Sequence, residues 1–257
     1  MTDLSDIADL IETLGKGEKR FFKMMASTES GDVALLVKLF DEVEKKEVSV
    51  EKLERSGYYS DHEVSNLYNL ILKCLRHFHA ESETILRFED EILNLRCLID
   101  KAQYRQCRKM LTSLKREFYE TERFDFLLST LEVEKKLIVY EEGKNGFLKP
   151  SIIAKEEQSI IDKKLRLLNL HRLYREINEN KNANSDILEV YLFNPLLMRS
   201  LEALSRKECV FILRCKQDIF NRLGKMEEAI ACEKRIKELF EKNAFLRDYF
   251  KELSITE

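Results

Sequence analysis

Apolar residues recur every three or four positions along almost the whole chain, with Lys and Glu between them, and this spacing belongs to amphipathic α-helices rather than alternating strands. Asp3 or Ser5 can cap a first short helix running to Leu14, where Gly15-Lys16-Gly17 breaks it. A second short helix carries Phe21, Phe22, Met24 and Met25, and the spacing of Val33, Leu36, Phe40 and Val43 predicts a third over Asp32 to Lys46. A short helix at Val48 to Leu53 ends at Gly57. Ser60 with Glu63 then forms a capping box opening a long helix through Leu67, Leu70, Ile71, Cys74, Leu75 and Phe78.

From Glu83 onward the texture changes to longer helices with very short breaks. Ile92, Leu95, Leu98 and Ile99 mark one helix, Lys101 to Tyr104 the turn, and Cys107, Met110, Leu111 and Leu114 its partner. Further helices are expected at Phe124 to Tyr140 and from Pro150 to Ile177. The polar run Asn178 to Ser185 reads as a flexible connection, and Asn194-Pro195 as a cap with proline in the first turn of a helix. Ser205 with Glu208 is a second capping box, and its helix leads into Gly224. A new helix opens at Met226, and two helices joined by so few residues fold back antiparallel. The expected fold is all-α, with a cluster of shorter helices over residues 1–80 and a regular array of helix pairs over 81–257.

Composition sharpens this picture. The 257 residues include only two prolines and seven glycines, so few positions interrupt helix. Charged residues make up 35% of the chain but leave a net charge of -3, which offers no general attraction to nucleic acid or anionic membrane. Met1-Thr2-Asp3 opens without the form of a signal peptide, and no run approaches the roughly 18 apolar residues of a membrane span. A soluble, cytoplasmic protein is expected. Six scattered cysteines with no Cys-x-x-Cys pair read as small core hydrophobes.

The candidate chemistry is thin. His77 and His79 point about 200° apart on a helix and cannot share one metal. Gly15 to Arg20 lacks phosphate-loop spacing and reads as an interhelical turn, while adjacent carboxylates such as Glu227-Glu228 read as solvated faces. No cofactor, metal or catalytic residue is expected. Ser49 to Phe78 has the outline of a helix-turn-helix, yet its second helix opens Asp61-His62-Glu63, and residues 1–80 carry 15 acidic against 11 basic side chains. A protein-docking or packing role therefore fits better than DNA reading. On the long helix, Lys163, Lys164, Arg166, Arg172 and Arg175 alternate with Leu165, Leu167, Leu168, Leu170 and Leu173, so basic heads there can meet acidic groups of a partner. Tyr191 to Phe193 and Pro195 to Met198 are expected in the core.

Leu213 and Phe220 on one helix, with Gly224, Met226, Ala229 and Ile230 at the turn and the start of the next, give a pattern that resembles a tetratricopeptide repeat. A weaker copy runs through Leu98, Ala102, Tyr104, Cys107 and Leu111. Lys216, Gln217, Glu233, Ile236 and Glu241 depart from the repeat pattern. With Gly17 to Lys23 included, the chain also resembles an uncharacterised group of bacterial helical-repeat proteins. The resemblance implies a TPR-like α-solenoid whose groove is lined by the first helix of each repeat, here Phe211, Arg214, Asp218 and Asn221. Asp218 stands where carboxylate-binding repeats carry an amide, so the resemblance does not imply that grip. The expected function is a non-catalytic scaffold or adaptor that binds a protein or peptide. The alternative is a transcriptional regulator with an N-terminal helix-turn-helix and a repeat-like sensor domain.

Overall fold

The computed structural model describes residues 4–27, 33–45, 52, 58–79, 84–142, 148–180 and 183–253. Among these, twelve α-helices and one 3-10 turn follow one another without a strand. The chain divides into two compact units, Met1–Leu93 and Asn94–Glu257.

In the first unit, α1 (Leu4–Thr13), α2 (Lys16–Ala26), α3 (Val33–Lys45) and α4 (Asp61–His79) pack around a common apolar cluster. Ile7, Phe22, Leu39, Phe40, Leu67 and Ile71 are almost wholly enclosed, and the Phe22 and Phe40 rings stack at 4.3 Å. Leu14 and Gly15 alone form the interhelical turn, in which the Glu18 carboxylate accepts the Gly15 N–H at 2.6 Å. Lys16 to Arg20, expected in that turn, already belong to α2, because this acceptor lets the helix start directly after Gly15. The Ser60–Glu63 box forms as its spacing predicts, Glu63 accepting the Ser60 N–H at 2.6 Å. The short helix expected at Val48 to Leu53 lies outside the described residues, Lys52 apart. The division at Leu93 falls within α5 (Thr84–Asp100).

The second unit contains α6 (Tyr104–Glu120), α7 (Phe124–Glu142), α8 (Leu148–Glu179), α9 (Ser185–Leu192), α10 (Arg206–Arg222), α11 (Met226–Lys242) and α12 (Ala244–Glu252). Three of its turns have the same construction. Ala102, Glu122 and Gly224 sit at positive φ, 55°, 51° and 73°. The next N–H in each case reaches back across the helix end, from Gln103 to Leu98 O, Arg123 to Phe118 O and Lys225 to Phe220 O, at 2.8 to 2.9 Å. This satisfies an orphan carbonyl of the ending helix and lets the next helix begin at once.

α10 is the central helix of this unit. It packs against α8, α9 and α11, and every residue from Lys207 to Leu213 is buried. The Ser205–Glu208 capping box forms, with Glu208 accepting the Ser205 N–H at 2.8 Å. Of the polar run after Ile177, Asn178 and Glu179 end α8 and Asn184 caps α9 by accepting the Ile187 N–H at 3.0 Å, while Lys181 and Asn182 lie outside the described residues. The helix expected after Asn194-Pro195 does not form. Asn194 accepts the Leu196 N–H at 2.9 Å and closes one turn, but Leu197 is the one buried anchor there and Met198 is 64% exposed, too little apolar contact to extend the turn.

A candidate docking surface on the long helix

α8 spans 32 residues and divides its side chains between inward and outward duties. Ile153, Ile160, Leu167, Leu170, Leu173 and Ile177 are buried. Beside them, Glu156 receives Lys115 Nζ at 3.0 Å and the Tyr119 hydroxyl at 2.5 Å, while Lys115 also reaches Glu134 at 2.7 Å. Burial and these acids both hold the Tyr119 phenol well above its ordinary range. Glu157 pairs with Lys135, Lys164 with Asp125, and the Ile177 carbonyl accepts from Arg222 at 2.9 Å.

The outward stripe is different. Ile161, Leu165 and Leu168 are 42%, 55% and 57% exposed at i, i+4 and i+7, which places them on one face. The same face continues onto Arg172 and Arg175, both exposed and neither within ion-pairing distance of an acid among the described residues. Leu168, Arg172 and Arg175 border a shallow depression with His171, Glu176 and Glu179. Glu176 is already engaged by the Tyr191 hydroxyl at 3.0 Å. The His171 imidazole titrates lower than usual, first because burial disfavours its charged form and second because Arg175 repels it.

The basic residues of α8 therefore separate into two classes. Arg166 is turned inward, its Nε donating to Glu208 at 2.6 Å, and Glu208 is fully buried at the start of α10. Lys164 is engaged by Asp125 and Lys163 is half-buried, which leaves Arg172 and Arg175 as the free arginines of the stripe.

The four α10 residues that the repeat resemblance places in a groove do not share one surface. Phe211 has no exposed area and packs against His171, Tyr174 and Phe250 with ring centroids 5.5, 6.1 and 5.0 Å away. Its ring is core, because α8 and α12 close over the face on which it lies. Arg214 borders a recess between α10, α11 and α12. Asp218 is half-buried, and burial raises its carboxyl against the opposing pull of Arg222 and Arg214. Asn221 is exposed near the helix end.

Sequence reading missed a buried polar cluster at the N-terminus of α10. The Glu122 carboxylate accepts the backbone N–H groups of Arg206 at 2.7 Å and Lys207 at 3.0 Å, which is where a helix start favours a negative charge. Lys207 Nζ donates to the Glu122 carbonyl at 2.8 Å and lies 3.9 Å from the centroid of the Tyr249 ring. Nothing in the local sequence marks Glu122, whose partners lie more than 80 residues away. Two further apolar positions also escaped the helical pattern. Phe193 and Met198, expected in the core, are 72% and 64% exposed, since Leu188 and Leu197 already fill the inward positions around α9.

Among the described residues no group of His, Cys, Asp and Glu has the arrangement of a metal site, and no helix is long and apolar enough to cross a membrane. Comparison with protein-family models, curated proteins and solved structures returned no match. The class defined by the fold is that of an all-helical chain built by helix-on-helix packing.

Proposed function

We propose that the chain is a non-catalytic protein-binding scaffold, with TPR-like helix pairs in its second unit, and that the outward stripe of α8 is its docking surface. The observation that carries this reading is the run of Ile161, Leu165 and Leu168 left exposed beside two unpaired arginines on one helix face. Exposed apolar side chains aligned at helical spacing are costly to leave in water and are suited to meet the apolar face of another helix. Arg172 and Arg175 add a requirement for acidic groups about one turn beyond the apolar anchors, which favours an acidic amphipathic helix as partner. The succession of short αL turns supports the repeat-like reading of the second unit.

A photo-crosslinking residue at Leu165, compared with one at exposed Ile230, tests the assignment in the native cell. The expected product is a protein whose cross-linked segment is an acidic amphipathic helix. With the probe kept at Leu165, its capture should be lost in Ile161→Glu/Leu168→Glu with unchanged melting, and weakened in Arg172→Glu/Arg175→Glu. The same product from the Ile230 probe, or capture surviving in the double glutamate variant, would overturn it. DNA reading by α4 finds no support at the start of that helix, where Asp61 and Glu63 would oppose a phosphate backbone.

A further inference from the structure

A second surface of the same unit carries a different kind of site, beyond the docking role of α8. We propose that the recess between α10, α11 and α12 binds a monocarboxylate with an apolar body about the size of one aromatic side chain.

The recess measures about 230 Å³, and Ile236 and Phe240 supply its apolar lining. Arg214 enters it from α10. Its Nε is shielded from solvent and makes no hydrogen bond, so a donor of a permanently charged group is enclosed without an acceptor. Asp218, one turn along, is shared electrostatically between Arg214 and Arg222 and leaves that Nε unanswered.

Charge around the recess selects the valence of the ligand. Arg214, Lys237 and Arg247 line it together with Glu233 and Glu241. Glu233 is already held by Lys237 at 2.6 Å, and the formal charges of these five lining side chains sum to a single positive excess. One carboxylate neutralises that excess and matches the planar fork of a guanidinium. A phosphate dianion would overshoot it and face Glu241 as a like charge, and it would leave Ile236 and Phe240 uncovered. A neutral amphiphile would cover the apolar lining and leave Arg214 unanswered. The chemistry that satisfies all of these groups is an anionic oxygen pair on an apolar body, whether a free acid or the C-terminal residue of a peptide.

The test uses the full chain labelled with nitrogen-15 and observes the arginine Nε–H signals. Titration with 3-phenylpropionate should move one signal saturably, and that signal should be missing in Arg214→Lys, whose cation lacks the fork. 3-Phenylpropan-1-ol and inorganic phosphate should leave it in place, and Arg247→Gln should weaken the carboxylate response about tenfold. A peptide ending in phenylalanine, compared with its C-terminal amide, distinguishes a chain end from a free acid; a response to either acid supports the site. The response should persist in Ile161→Glu/Leu168→Glu, which separates it from docking on α8. No saturable shift with any carboxylate, an equal shift with the alcohol or phosphate, or a response retained in a folded Arg214→Gln would overturn the proposal.

Discussion

The two units bury comparable apolar helices but treat charge in opposite ways. In the first, ion pairs stay at the surface: Lys23, 42% exposed, bridges Asp41 at 2.8 Å and Glu44 at 2.9 Å, outside the stacked Phe22 and Phe40 rings. In the second, charge goes inside. Glu122, Lys207 and Glu208 are all buried at the start of α10, and each is answered by backbone groups or an arginine. Apolar burial is non-directional and sets compactness, whereas a buried carboxylate is tolerable only in a few geometries and so favours one arrangement of the helices that meet there. The first unit therefore depends mainly on the closeness of its rings, and the second on hydrogen bonds between residues distant in sequence.

Breaking the buried cluster should give the largest effect. Arg166→Ala leaves Glu208 enclosed without its guanidinium and should destabilise the second unit by about 3–5 kcal/mol, while Arg172→Ala on the same helix should stay within about 0.5 kcal/mol. Hydrogen exchange of the intact chain, followed segment by segment, should show the loss over α8 and α10 and leave α1 to α4 protected. Equal effects of the two arginine changes would erase the distinction between the inward and outward faces of α8.

A smaller effect, of opposite sign, is expected at the repeated turn. Ala102 holds φ 55° with a Cβ that crowds this conformation, so Ala102→Gly should stabilise the second unit by about 1 kcal/mol in urea unfolding. Glu122→Gly, at φ 51°, relieves the same crowding but removes the carboxylate that caps α10, and should be destabilising. The pair of variants separates the backbone requirement from the capping requirement at two turns of like geometry.

The smallest effect belongs to the exposed pairs of the first unit. Lys23→Ala should cost about 0–1 kcal/mol, and less as salt rises. Its clearer signature is in pH. The hydrogen bond from Lys23 holds the Glu44 carboxyl below its ordinary value of 4.5, so folding is favoured above that pH and the contribution is lost as pH falls through the lowered value. Removing Lys23 should flatten this acid limb in exchange protection of α2 and α3. An acid limb unchanged by the substitution would show that the ion pairs are not its source.

Much of the architecture was readable from local spacing. Both capping boxes, the interhelical turn at Gly15 and the short break at Gly224 follow from hydrogen-bonding groups within a few residues of each other. The αL turn at Glu122 did not, because a glutamate carries no local signal for positive φ; its conformation is held by the start of a helix more than 80 residues later. The exposed stripe of α8 was half visible. The apolar and basic residues of α8 could be recognised as alternating, but periodicity alone cannot say that Leu167 faces inward and Leu168 outward, or that Arg166 is engaged while Arg172 is free. For the same reason Phe211, assigned to a groove by its place in a repeat pattern, proved to be enclosed.

The sequence by itself determined that this chain is helical, where most of its helices begin and end, and that no strong field of either sign covers it. Those properties arise from interactions within one or two turns, which the order of residues specifies directly. Only the tertiary structure decided which faces remain open, which arginines are free, and that α10 is enclosed by its neighbours with Lys207 and Glu208 buried. Burial depends on what other segments cover, and a long-range partner such as Glu122 acquires its role only when the helices it joins have come together.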